Sequence, residues 1–163
     1  MTIDREAIYE ALFAQLQTAG STFRFYTRRW RSTYDDENER LKLLPMLVQW
    51  EQNENIVWTN RGAGRILTLS TMLEVYAKIP PSLTGPPGQA PDTTTPGSSV
   101  LNPLLDAIDT ALEPDDQQTG LCTLGGLVID CRVQGNIVKV LGDADPSGLC
   151  GALVPIEIEI VPS

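Results

Sequence analysis

Apolar residues recur in two parts of the chain at the spacing that places them on one face of an α-helix. The first pattern predicts a helix over residues 2–17, with Thr2 as its cap. The second predicts a helix that begins at Ser98 or Ser99 and is stopped by Pro114. The first apolar stripe comprises Ile8, Leu12 and Leu16, and the second comprises Leu101, Leu104, Leu105, Ile108 and Leu112.

Alternation of apolar and polar residues predicts strands elsewhere. The aromatic- and threonine-rich stretch TFRFYTRRWR, residues 22–31, favours a strand, and a further strand is predicted from Pro45 to Glu51. The clearest strand is GRILTLSTMLEVYAKI, residues 64–79, in which every second residue from Leu67 to Ala77 shares one face. In the closing ALVPIEIEIVP, isoleucines alternate with glutamates, which predicts one buried face and one acidic face.

The stretch CTLGGLVIDCRVQG, residues 122–135, predicts a strand entered through a bend at Gly125 and Gly126. Alternation would place Leu127, Ile129, Cys131 and Val133 on its apolar face. The turn signal Gly135-Asn136 and the following IVKVLG indicate that this strand and the next one form a hairpin.

The order of these elements predicts an α+β fold, with two main helices packed on a mainly antiparallel or mixed β-sheet. Residues 80–98, rich in proline and glycine, are expected to form a long loop. With 163 residues, one domain over 1–163 is the expectation, and this loop lies within it.

Net charge disfavours nucleic-acid binding. The chain carries 21 acidic and 12 basic residues, for a formal net charge of −9, and such a field repels phosphate backbones. The same charge would suit a surface that lies near DNA without binding it. The arginines at 24, 28, 29 and 31 precede the acidic run DDENER, so two solvated faces that pair with each other or with a neighbouring subunit are expected.

Cysteine and histidine usage removes several kinds of chemistry. The three cysteines include no C-x-x-C pair, so free, buried thiols are expected at Cys122, Cys131 and Cys150, and a single disulfide between strand neighbours is the alternative. The chain has no histidine, which excludes Ser-His-Asp and Cys-His catalysis and the H-E-x-x-H zinc helix. Any enzyme would have to use carboxylates, lysine, tyrosine or a bound cofactor.

Three further patterns lack a required partner. Gly125 and Gly126 are not followed by the lysine of a phosphate-binding loop. The stretch DADPSG, residues 143–148, begins like a calcium loop, but Val154 stands where its bidentate glutamate belongs. The acids at 35, 36, 37, 39, 115 and 116 lie in polar runs and are expected to be solvated. We therefore predict no catalytic, metal-binding or cofactor-binding residue and no cofactor.

Neither a secretory leader nor a membrane-spanning segment is recognised. The first 17 residues are amphipathic and acidic, and no stretch approaches the roughly 20 apolar residues that cross a bilayer. The sequence predicts a protein made and kept in the cytosol or assembled there into something larger, without a membrane partner.

Taken together, several segments resemble the tail terminator proteins of long-tailed bacteriophages. The resemblance rests on the pattern and order of LPMLVQWEQNENI, RILTLSTMLEVYAK, the proline-rich gap and VPIEIEIVP, and it spans nearly the whole chain. Its most specific part is LNPLLDAIDTALEP running into QTGLCTLGGLVIDCRVQG.

The resemblance implies a structural protein of the virion tail or neck, assembled in the host cytoplasm, with no catalytic residues. Such proteins form a closed ring, usually hexameric, that caps the tail tube, stops its polymerisation and joins the head connector. The partners implied are further copies of the chain, the tail tube protein and a neck protein, with DNA passing through the lumen without specific binding. Arg28, Arg29, Trp30 and Trp50 are the expected subunit or tube contacts.

Two alternatives remain open from the residues alone. One is another neck or head-completion protein of the same particle. The other is a small carboxylate-based enzyme or a ligand-binding α+β domain, which would require a deep pocket with a carboxyl group of raised pKa.

Overall fold

A mixed six-stranded sheet and two helices form the part of the chain that this computed structural model describes, residues 3–18, 22–28, 42–58, 64–80, 95–141 and 148–160. The elements are α1 (Arg5–Gln17), β1 (Phe25–Thr27), β2 (Met46–Trp58), β3 (Arg65–Lys78), α2 (Gly97–Ala111), β4 (Asp130–Val133), β5 (Val138–Val140) and β6 (Leu149–Ile160). Strands lie in the order β1-β2-β3-β6-β4, and β5 also pairs with β6. Only the β1–β2 pair is parallel among the described strands. This confirms the predicted α+β class.

Both helices cover the same face of the sheet, here called the inner face. The helical apolar stripes and the alternate residues of β3 and β6 form one buried cluster, as the periodicity predicted. Gln15 Nε2 donates to the carbonyl oxygen of Ala111 at 3.0 Å, which joins the two helices. Gln49 Nε2 donates to the carbonyl oxygen of Tyr9 at 3.1 Å and joins α1 to β2. Each fully buried leucine contributes about 1.5–3 kcal/mol, so this face dominates stability.

Helix α1 begins later than the sequence predicted. Asp4, not Thr2, is the N-cap residue, and its carboxylate accepts a hydrogen bond from the Ala7 N–H at 3.0 Å. A carboxylate at this position satisfies a free N–H and also interacts favourably with the helix dipole. Thr2 lies outside the described residues.

Strand β2 is longer than the predicted Pro45 to Glu51. A bulge between Glu51 and Asn53 shifts its register against β3, so Asn53 pairs with Ser70 and Ile56 with Leu67. One extra residue reverses which positions face the core, so the whole strand does not follow a strict two-residue period. In the predicted strand of residues 22–31, by contrast, β1 covers Phe25–Thr27 of the described residues 22–28. Residues 29–31 lie outside the described part.

Strand β4 is also shorter than predicted. Leu124, Gly125 and Gly126 all have positive φ, of 49°, 72° and 89°, so the chain turns there as expected but continues as irregular structure to Ile129. As a result Val128 is buried and Leu127 is exposed, the reverse of the predicted alternation. From Asp130 onward the prediction holds, and Cys131 is buried on the inner face.

The predicted hairpin between β4 and β5 is wrong. Both strands pair with β6, β4 through Val133 opposite Ile156 and β5 through Val138 opposite Leu153. Pro155 lies between these pairs and has no N–H to donate, although its carbonyl oxygen accepts from Gln134 N at 3.0 Å. Residues 134–137 therefore lie opposite only two residues of β6, which forms a bulge. Gly135, at φ 113°, lies close to the Pro155 ring.

Candidate interaction surface

The residues expected to make subunit contacts are only partly described. Arg28 directly follows β1, and Trp50 lies on β2 with its side chain 37% exposed on the outer face of the sheet, away from the helices. Arg29 and Trp30 lie outside the described residues. The structure therefore describes two of the four predicted contact residues, and the expectation that the four form one surface stays a prediction.

The partners of Arg28 lie within its own chain. Its Nη1 donates to Glu6 Oε1 at 2.6 Å on α1, and its Nη2 also contacts Glu51 on β2. The hydrogen bond that Arg28 donates to Glu6 raises the pKa of Arg28, and the same bond lowers the pKa of Glu6. Exposed ion pairs contribute about 0–1 kcal/mol, so the main effect is to orient α1 against the end of β1. Arg28 is a bridge between elements in this structure.

The outer face of the sheet carries an apolar row and an open groove. Trp50, Met72 and Pro155 lie side by side across β2, β3 and β6. Beside them, a groove of about 270 Å³ lies where β5, β6 and β3 meet. Its lining includes Tyr76, Val138, Val140, Leu149, Gly151 and Leu153.

Large exposed apolar side chains in the described residues concentrate at the two ends of the sheet. On β2 they are Trp50, Ile56 and Val57, and at the opposite end they are Ile137, Val138, Val140 and Leu153. Leu127, in the turn before β4, lies apart from both groups. Soluble proteins seldom leave an apolar strand edge uncovered, so these two edges are the candidate interaction surfaces.

Sequence reasoning missed these edge residues for a specific reason. The strand pattern was followed only to Glu51, so Ile56 and Val57 were not assigned to any element, and Val138 and Val140 were assigned to a hairpin. The run IVW in NENIVW was a usable signal, because β-branched and aromatic residues favour a strand.

Charged side chains at the β4 end form a small cluster. Arg132 contacts Asp130, and its Nη2 lies 3.1 Å from Glu157 Oε1 on β6. The hydrogen bond that Arg132 donates to the Asp130 carboxylate raises the pKa of Arg132. Nearby, Lys139 Nζ donates to Asn102 Oδ1 on α2 at 2.8 Å. Arg132 is therefore paired with two carboxylates of its own chain, Asp130 and Glu157.

The glycine-containing turn before β4 binds a carboxylate of the same chain. Asp115 Oδ1 accepts from the Thr123 N–H at 2.6 Å, and Oδ2 accepts from the Gly125 N–H at 2.8 Å. These backbone hydrogen bonds lower the pKa of Asp115, with the Gly125 N–H as the largest contribution. The N–H groups that a phosphate would need are thus already occupied by Asp115.

The pKa values of the described candidate carboxyl groups are lowered, whereas a general acid needs a raised pKa. The Thr119 hydroxyl donates to Asp116 Oδ2 at 2.7 Å and lowers the pKa of that carboxyl group. Asp115 and Asp116 therefore both stay ionised at neutral pH. The acids at 35–39 and those of the calcium-like loop, 143 and 145, lie outside the described residues.

All three cysteines are buried thiols that form no disulfide, as predicted. Burial raises the pKa of the Cys131 thiol well above its usual range and also raises that of Cys122. Cys150 Sγ lies 3.5 Å from the carbonyl oxygen of Ala77. These thiols pack as small apolar groups.

Within the described ranges, no cluster of three or more potential ligands is arranged to hold a metal ion. Neither of the helices described is long and apolar enough to cross a membrane.

No protein-family model matches the chain, and no curated protein matches it. Among solved structures, the chain is similar to one in the virion of a native gene transfer agent (GTA) particle. The two share 8% identity at a TM-score of 0.43, over 95% of this chain and 92% of the other. A likeness this weak decides neither the fold nor the function.

Proposed function

We propose that this chain is a structural protein of a bacteriophage-like virion and acts as its tail terminator. As a single domain it would form a closed ring, most simply a hexamer, on the end of the tail tube. The ring would stop tube polymerisation and present the surface that joins the neck and head connector. No catalytic step is part of this role.

The observation that carries the proposal is the resemblance of the segment from Leu101 to Gly135 to tail terminators. In the structure this segment comprises most of α2, the turn held by Asp115, and β4. The α+β fold with two helices on one face is also the fold that the resemblance implies. Sequence pattern and architecture are thus consistent with each other.

Surface properties support a role in self-assembly. The exposed apolar side chains at both ends of the sheet would be covered by neighbouring copies in a ring. A net charge of −9 suits a channel through which DNA passes without adhering. The groove on the outer face is lined mainly by apolar side chains, which fits a protein contact better than carboxylate chemistry.

Electron microscopy of particles made without this protein tests the proposal. The gene would be inactivated in the genome that encodes it, and a plasmid copy of the wild-type gene would serve as the matched control. We expect overlong tails without heads, and normal tails when the plasmid copy is present. Normal tails joined to heads would refute the proposal. Headless tails of normal length would instead assign the chain to another neck position.

Purified protein provides an independent measurement. Size-exclusion chromatography with light scattering should give closed oligomers of the 17.8 kDa chain, visible as rings in negative stain. A chain that stays monomeric at every concentration, and that is also a monomer when it is bound to the ends of tail tubes, would contradict the ring.

A further inference from the structure

Two of the three cysteines are neighbours at the start of β4. The Cys131 N–H donates a hydrogen bond to the carbonyl oxygen of Cys122 at 2.8 Å, although the two residues are nine positions apart in the sequence. Both side chains belong to the buried cluster of the inner face, at 1% and 3% exposure, so they point into the same core. The fold therefore places two thiols side by side, at a spacing that is not a C-x-x-C motif.

The backbone spacing at this point is that of a disulfide. Residues joined by a sheet-type N–H···O bond have Cα atoms about 5.5 Å apart. Disulfides span Cα distances of about 4.4–6.8 Å and are commonest at about 5.5–6 Å. Cys122 and Cys131 are thus spaced for a bridge without a large movement of the backbone, and rotation about the Cα–Cβ bonds is the main movement needed.

The third cysteine is too far away to compete for this pair. Cys150 lies on β6 opposite Ala77 of β3, and its Sγ is 3.5 Å from the Ala77 carbonyl oxygen. Cys131 lies opposite Ile158, which is eight residues further along β6. A strand rises about 3.3 Å per residue, so roughly 25 Å separates the two positions. Of the three possible pairings, the fold favours one.

An oxidant can reach Cys122 through the turn that follows it. Residues 123–129 are irregular, and residues 125–127 within them are exposed. Asp115 holds this turn by two backbone hydrogen bonds. Breaking these two bonds would open the turn locally while the sheet stays folded. Burial raises the pKa of both thiols of the pair, so the reaction is expected to be slow at neutral pH and faster at higher pH.

We propose that Cys122 and Cys131 form a disulfide when the protein meets a small-molecule disulfide such as oxidised glutathione. The Cys122 thiolate attacks one sulfur of the oxidant, forms a mixed disulfide and releases the first small thiol. The Cys131 thiolate then attacks the Cys122 sulfur and releases the second small thiol. In all, the two protein thiols lose two protons and two electrons, and the oxidant gains them as two thiols.

The bond would fasten the turn before β4. It closes a loop over residues 122–131, and closing a loop removes conformations from the unfolded chain. Reducing surroundings keep the thiols reduced, whereas oxidising surroundings form the bond, so the chain would gain stability on passing from one to the other. No step uses the tail role proposed above, so the two proposals stand or fall separately.

Peptide mapping of the wild-type protein tests the pairing. Reduced protein is incubated with oxidised glutathione at pH 8 for several hours, and the remaining thiols are blocked with N-ethylmaleimide in denaturant. Cleavage before Asp130 then separates Cys122 from Cys131. We expect one disulfide-linked pair of peptides that holds these two residues, with the blocking group on Cys150. Three blocked thiols, a lasting glutathione adduct or a bond to Cys150 would overturn the proposal.

Matched controls separate native proximity from general oxidation. Cys150→Ala should form the bond at the wild-type rate, whereas Cys122→Ala and Cys131→Ala should form no intramolecular bond; circular dichroism verifies the fold of each. Wild-type protein oxidised in urea should also give bonds to Cys150, because the fold no longer keeps it apart. A bond between the two remaining cysteines of natively folded Cys122→Ala or Cys131→Ala would overturn the pairing, and the wild-type map decides it even where a variant does not fold.

Thermal unfolding gives a second measurement. The oxidised protein should unfold about 5–10 °C above the reduced protein, and dithiothreitol should remove this gain. Cys131→Ala, treated in the same way at the same protein concentration, should show no gain. A Tm that is unchanged or lower after the bond has formed would show that the native fold does not hold the two thiols in bonding geometry, and the proposal would be overturned.

Discussion

Replacing Asp115 with asparagine should loosen the turn that carries the chain from α2 into β4. The carboxylate accepts two backbone N–H groups, from Thr123 and Gly125. An asparagine of the same shape keeps one acceptor oxygen and turns an NH₂ group toward the other N–H, so one hydrogen bond is lost and the remaining one is no longer charge-assisted.

The expected loss follows from the strength of such bonds. Hydrogen bonds to charged groups contribute about 1.5–3 kcal/mol, but Asp115 is exposed and water competes for it, so we expect a loss of about 1–2 kcal/mol. For a chain of this size, that lowers the Tm by roughly 2–8 °C. Thermal unfolding followed by circular dichroism, at one fixed protein concentration because assembly adds stability, measures it.

The pH dependence of this difference has a defined sign. The pKa of Asp115 is lowered in the folded state, so its stabilisation is fully present above the unfolded pKa of about 3.9 and disappears as pH falls through the folded pKa. The gap between wild type and Asp115→Asn should be constant from about pH 8 to 5 and shrink below about pH 4.

Asp109→Asn is the matched control, because it removes the same charge from an exposed site on α2. Equal Tm values for Asp115→Asn and Asp109→Asn at pH 7 would refute the reasoning. So would a gap that persists unchanged at pH 2.

Three other substitutions or probes test separate features of the fold. Gly97→Ala should destabilise the protein by about 3 kcal/mol or more in urea unfolding, because a Cβ there would lie 1.9 Å from the Leu141 carbonyl oxygen, whereas Ser98→Ala should change little. Thr71→Val should leave stability unchanged or raise it by up to about 1 kcal/mol in the same assay, since the buried Thr71 hydroxyl has no hydrogen-bond partner within the described chain; a loss above about 1 kcal/mol would show that it has one. The three buried thiols should react with a thiol reagent at pH 8 about 100-fold more slowly in the native protein than in denaturant; rapid native labelling of Cys131 would contradict its burial.

Local pattern predicted the elements that obey one period throughout. Helix α2 and strand β3 were predicted within two residues of their observed bounds, because each repeats a single spacing from end to end. Burial of Cys131 followed from the same alternation. Even the bend at Gly125 was predictable, because only glycine adopts positive φ at low cost.

Contacts between distant residues decided what local pattern did not. Asp115 holds the turn before β4, so the predicted strand shortens and Val128 takes the core position expected of Leu127. Arg28 bridges Glu6 and Glu51 of its own chain, which sequence spacing did not indicate, and its expected subunit contact stays a prediction. Each of these hydrogen bonds and ion pairs joins residues whose separation along the sequence gives no indication that they are in contact.

The sequence by itself determined the helices, the long strands, the buried cysteines and the exclusion of histidine chemistry, because these depend on residue type and on spacing within one element. Only the tertiary structure decided which strands are neighbours and which strands lie at the two edges of the described sheet. Strand β6 illustrates the reason: β4 and β5 both pair with it, on either side of Pro155, which has no N–H to donate and lies some twenty positions from residues 134–137. Pairing across a sheet is a long-range choice, and in this chain that choice sets the surfaces proposed to build the ring.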